Sequence, residues 1–134
     1  MAEKNTSKRL HIGLWVVQGL LAAAFGMSGF MKITAPIEQL AQGGMSFVND
    51  YGVGTVRFIG ISELLGAIGL ILPAALRIKP ILTPLTAVGL AIIMILASFY
   101  HISHNEPFLP TVILLALATF VAWGRYKKAP IQAK

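Results

Sequence analysis

Four long stretches without charge fix what this chain can become. Residues 10–31 contain no Asp, Glu, Lys or Arg, residues 58–76 contain only Glu63, and residues 80–105 and 107–124 contain none. A run of about 20 apolar residues spans the hydrocarbon core of a bilayer. In 134 residues such runs leave room for little besides membrane spans. Charged residues make up 12% of the chain, about half the share in a soluble domain. The expected fold is therefore an all-α membrane protein, a compact bundle of four transmembrane helices forming one domain over 10–126. The spans are expected near 10–31, 55–73, 80–101 and 107–123, with basic tails at 1–9 and 127–134.

A basic start followed by an apolar run also describes a signal peptide, and Ala22, Ala23 and Ala24 offer small residues for cleavage. The run is too long for a signal core and continues through Phe25, Met27 and Phe30, so it reads as an uncleaved first helix preceded by an irregular tail. The second span meets Pro73, which ends or kinks it. Between the first two spans, residues 36–49 carry Pro36 where a helix can start and Gly43–Gly44 where one can stop, with Ile37, Leu40 and Ala41 on one face. That pattern fits a short interfacial amphipathic segment or an ordinary ordered loop.

Orientation follows from the basic residues. The N-terminal tail, the C-terminal end from Arg125 onwards and the loop between the second and third spans hold nine Lys and Arg, and the other two loops hold only Lys32 and Arg57. Positive loops stay on the cytoplasmic side, so both termini are expected there, in a multi-pass protein of the inner or plasma membrane. The net charge of +6 is divided among these ends and forms no single surface for nucleic acid. There is no cysteine, hence no disulfide, thiol redox pair or thiolate metal site.

Small and polar residues form stripes that helices present to one another in lipid. Gln18, Ala22, Phe25, Gly29 and Lys32 fall within about 40° of one line on the first helix. Gly60, Gly66 and Ala67 surround Glu63 on the second, and Ala87, Ala91, Met94, Ser98 and His101 line the third. Gly29, Gly60, Gly66 and Ala67 are thus the expected packing residues. An unpaired charge at mid-span costs about 2.5–3.5 kcal/mol, so Glu63 should either pair or stay protonated. Helical side chains lean towards the N-terminus. Lys32, on an outgoing helix, and Glu63, roughly 9–12 Å deep on a returning one, lean towards each other. Lys32 is the first candidate partner, with Arg57 or a histidine second, and Gln18 either joins a polar pocket there or makes a packing hydrogen bond. His101 and His104 lie three apart and could hold a metal with Glu106 or Glu63, or could simply bond loop backbone; no complete metal motif is present.

The segments GMSGFMKITAP, ISELLGAIGLILP and LTPLTAVGLAIIMILASFYH resemble the DoxX-like family of four-span membrane proteins over residues 10–123. The likeness rests on Gly29 and Lys32, the Glu63–Gly66 core, Leu72–Pro73 and His101. It implies Lys32, Glu63 and His101 as site residues. It also implies a role as subunit or anchor of a redox or quinone-linked membrane complex, with other subunits or further copies of the chain as partners and a quinone-like lipid as candidate cofactor. Two other functions fit the residues: a small proton-coupled transporter using Glu63, or a purely structural membrane scaffold. No self-contained catalytic motif is present.

Overall fold

The structure is a computed structural model that describes residues 2–42 and 48–133, and within these the side chains other than those of 2–7, 37, 41–42 and 48–51. Five α-helices follow in order: α1 (Ala2–Thr34), α2 (Ile37–Gln42), α3 (Val48–Leu76), α4 (Leu82–Ser103) and α5 (Leu109–Trp123). A π-helical turn, Gly124–Lys128, continues α5. Four segments are long and apolar enough to cross a membrane: Lys8–Thr34, Gly52–Leu76, Leu82–Ser103 and Leu109–Lys128. At 1.5 Å per residue the 22 residues of α4 extend about 33 Å, matching a hydrocarbon core of about 30 Å.

The four long helices run up and down in sequence. The α1–α3 and α4–α5 pairs make the extensive interfaces, α3 meets α4, and α5 returns to α1 to close the ring. Both chain ends consequently lie at one end of the bundle, called here the terminal end. On α1 the buried residues Leu14, Gln18, Leu21, Phe25, Gly29 and Lys32 recur at helical spacing and so point one stripe inwards. With Leu70, Leu90, Met94, Ala118 and Val121 the hydrophobic members of that stripe form the core. Outward-facing Leu20, Phe30, Leu65, Leu96 and Phe99 are each about two-thirds exposed, a surface suited to lipid and not to water.

Several boundaries differ from the sequence expectation. Helix α1 begins at Ala2, so residues 2–9 are helical and not an irregular tail; Ala, Glu, Lys and Arg there are strong helix formers. The short helix α2 starts just after Pro36, and Leu40 is buried, so this segment caps the bundle. The expected stop at Gly43–Gly44 lies outside the described residues. Helix α3 bends at Gly52, whose φ of 80° is open to glycine alone at that ψ, and the long segment begins there, earlier than residue 55.

Pro73 neither ends α3 nor leaves a defect. Lacking an N–H, it frees the carbonyl of Gly69 four residues earlier. The Thr83 hydroxyl donates to that carbonyl at 3.0 Å. The Gln18 amide donates to the next carbonyl, Leu70, at 2.6 Å. With its backbone satisfied from α4 and α1, the helix continues to Leu76.

The closest backbone approach is between α1 and α3. A Cβ on Gly29 would lie 2.6 Å from the Gly60 carbonyl oxygen, and one on Gly60 would lie 2.7 Å from the Lys32 Cβ. Gly89, by contrast, has open space around it. Gly29→Val should therefore destabilise the bundle by about 1–3 kcal/mol, the usual cost of overpacking. Gly89→Ala should leave stability unchanged or slightly raised; thermal unfolding in detergent micelles compares the two.

Candidate functional site

The spacing of Gly and charge is the same on both helices: Gly29 precedes Lys32 by three residues, and Gly60 precedes Glu63 by three. Because α1 and α3 run antiparallel, each glycine faces the charged residue of the other helix. The open site at Gly60 accepts the Lys32 stem, and that at Gly29 lies beside the Glu63 Cβ, at 3.3 Å from where its own Cβ would sit. The two charges then meet. Lys32 Nζ donates to Glu63 Oε1 at 2.5 Å, with Glu63 1% and Lys32 7% exposed. The Ser28 hydroxyl lies 3.4 Å from both carboxylate oxygens, one turn down α1.

Arg57 sits just above the pair and serves the backbone. Its Nη1 donates to the carbonyls of Lys32 at 2.6 Å and Ala35 at 2.9 Å, capping the C-terminus of α1 with a cation where the helix dipole favours one. Glu63 follows Arg57 by six residues, about 9 Å further along α3.

His101 and His104 end α4 at this same end of the bundle but diverge. His101 Nδ1 lies 3.2 Å from Glu106 Oε1, across the turn to α5. His104 Nδ1 lies 2.8 Å from the Tyr100 carbonyl, and its ring stacks on Tyr100 at 4.0 Å. The helix stops at Ser103, so the shared face that three-residue spacing suggested does not extend to His104. Among the described residues no three His, Asp or Glu side chains gather as a metal site.

Gln18 belongs elsewhere. It lies fourteen residues before Lys32, about 21 Å along α1, and joins a second buried polar cluster at the terminal end. While its amide NH₂ serves Leu70, its Oε1 accepts from Arg125 Nε at 2.6 Å. Arg125 is 2% exposed. It also bonds His11 Nδ1 and the Ala129 carbonyl, both at 2.9 Å, and stands 5.5 Å above the Trp15 ring. The π-helical turn carries Arg125 inwards: Gly124 packs on Leu14, where a Cβ would lie 2.6 Å from Cδ2. By sequence Arg125 counts only among the basic residues that follow the fourth span. Its one local signal is the glycine before it.

Every buried side-chain polar atom among the described residues has a partner. The Gln18–Arg125 bond ties α1 to the end of α5, and the Ala129 contact folds the following segment back beneath it. Arg125→Leu should cost about 2–3 kcal/mol, since it removes charge-assisted hydrogen bonds. Combined with Gln18→Leu the loss should fall short of the sum of the two by about 1 kcal/mol, the mark of shared partners. Denaturant unfolding of the four proteins in micelles measures this coupling.

The chain was also compared with known proteins. No curated protein and no solved structure matches it. The family model described as the DoxX-like family matches residues 16–124, from within the first span to near the end of the fourth. The match takes in most of α1, all of α3, α4 and α5 and the Lys32–Glu63 site, and this chain belongs to the DoxX-like family.

Proposed function

We propose that this DoxX-like protein is a membrane-embedded scaffold or anchor subunit whose Lys32–Glu63 pair is a structural clamp. The supporting observation is the pair itself: Glu63, the carboxylate set deepest in the spans, is bonded to Lys32 at 2.5 Å and closed in by Ser28 and two glycine backbones. A proton-handling carboxylate needs a route to water or substrate, whereas Glu63 is buried against Lys32 with 1% of its surface exposed. A role in holding other subunits of a redox or quinone-linked complex is the family-based part of the proposal. Positive charge at the terminal end supports an orientation with both termini in the cytoplasm, in which the clamp would lie in the outer half of the membrane.

Exchanging the two charges separates a clamp from a proton site. Lys32→Glu or Glu63→Lys alone should lower stability by about 3 kcal/mol or more, because each places like charges together in a buried site. The double exchange should recover most of that loss and retain any larger assembly seen when the protein is extracted from its membrane in mild detergent. Proton-driven uptake in vesicles that is abolished by the double exchange while the fold survives would instead establish the transporter reading.

A further inference from the structure

The terminal end carries a feature that the clamp does not use. Between α4 and the end of α5 runs an open groove of about 420 Å³, floored by Pro84, Leu85, Val88 and Ala122 and rimmed by Trp123, Tyr126 and Lys127. Its floor is wholly apolar. Its rim is amphipathic, and Lys128 adds a second ammonium 5.9 Å from the Trp123 ring. Trp123, Tyr126, Lys127 and Lys128 are all exposed.

Among the described side chains, the charge at this end is one-sided. Lys8, Arg9, Arg77, Lys79, Lys127 and Lys128 lie at the terminal end, with Arg125 buried beside them. Of the carboxylates with described side chains, Glu38 and Glu106 lie at the opposite end and Glu63 is engaged by Lys32. Aromatic rings of this kind settle at headgroup level, so the apolar floor below them lies at the depth of acyl chains.

We infer that this groove holds an anionic phospholipid, with one acyl chain along Leu85, Val88 and Ala122 and the phosphate held by Lys127 and Lys128 beside the Tyr126 hydroxyl. A basic rim above an apolar groove between transmembrane helices matches a molecule with an anionic head and an apolar chain. A zwitterionic lipid fills the floor equally well but meets an uncompensated positive rim.

Trp123 is a built-in probe, and Trp15→Phe leaves it as the sole tryptophan. That variant is reconstituted in vesicles in which phosphatidylglycerol or phosphatidylcholine carries brominated chains, which quench a tryptophan they touch. Brominated phosphatidylglycerol should quench Trp123 in preference to brominated phosphatidylcholine at equal mole fraction. Lys127→Gln and Lys128→Gln should each reduce the preference about fivefold, the factor expected for one cation at a membrane surface. Val88→Phe, which fills the floor at an exposed position, should weaken it as well. Glycerol phosphate in solution, which has the charge but no chain, should leave it unchanged. Equal quenching by the two lipids overturns the proposal, as does a preference that survives both lysine substitutions. Displacement by glycerol phosphate also overturns it, because the groove would then have no part in binding.

Discussion

The bundle depends on the contact between α1 and α3, where two glycines admit close backbones and two opposite charges close the gap. Neither half works without the other. Removing a glycine would separate the helices and pull Lys32 from Glu63, and in a medium with little water an unpaired charge is expensive. Without the charges, the close approach would rest on van der Waals packing and on the Arg57 and Gln18 hydrogen bonds to backbone, because lipid gives helices no hydrophobic reason to associate. Antiparallel pairing makes this possible with one short pattern used twice, Gly-x-x-Lys on α1 and Gly-x-x-Glu on α3.

At the terminal end the same constraint has a different solution. A proline in α3 releases a carbonyl that lipid cannot satisfy, and neighbouring helices supply the donors: Thr83 to Gly69 and Gln18 to Leu70. Gln18 then bonds Arg125, which carries the link to α5 and to the segment beyond it. A proline that would weaken an isolated helix thus marks the point at which α1, α3 and α4 are tied together. The two polar layers, about 21 Å apart along α1, hold the bundle near both of its ends.

The four spans were legible because charge-free runs of that length have few other fates. The Lys32–Glu63 contact was legible too, because side chains on antiparallel helices lean towards each other from different backbone depths. Other features were hidden for physical reasons. His101 bonds Glu106, five residues away, because the helix stops sooner than histidine spacing alone suggests. Gln18 reads as a member of the Lys32 stripe because periodicity reports a face and says nothing of depth. Arg125 turns inwards where a π-helical turn follows α5 and Gly124 packs closely on Leu14. These are tertiary facts. Pro73 shows the same limit: local preference marks a helix end, and donors from two other helices carry α3 past it.

Membership of the DoxX-like family and a buried, partnered carboxylate together support the proposed reading of this chain as a membrane scaffold. The most direct measurement of that account is the distance between the two charged groups in a bilayer. Magic-angle-spinning NMR on membranes containing the protein, with ¹⁵N-labelled lysine and ¹³C-labelled glutamate, reads that distance through dipolar coupling. The account predicts strong coupling between one ammonium nitrogen and one carboxyl carbon, lost in Lys32→Met while the helices remain folded. A folded protein without that coupling would contradict it.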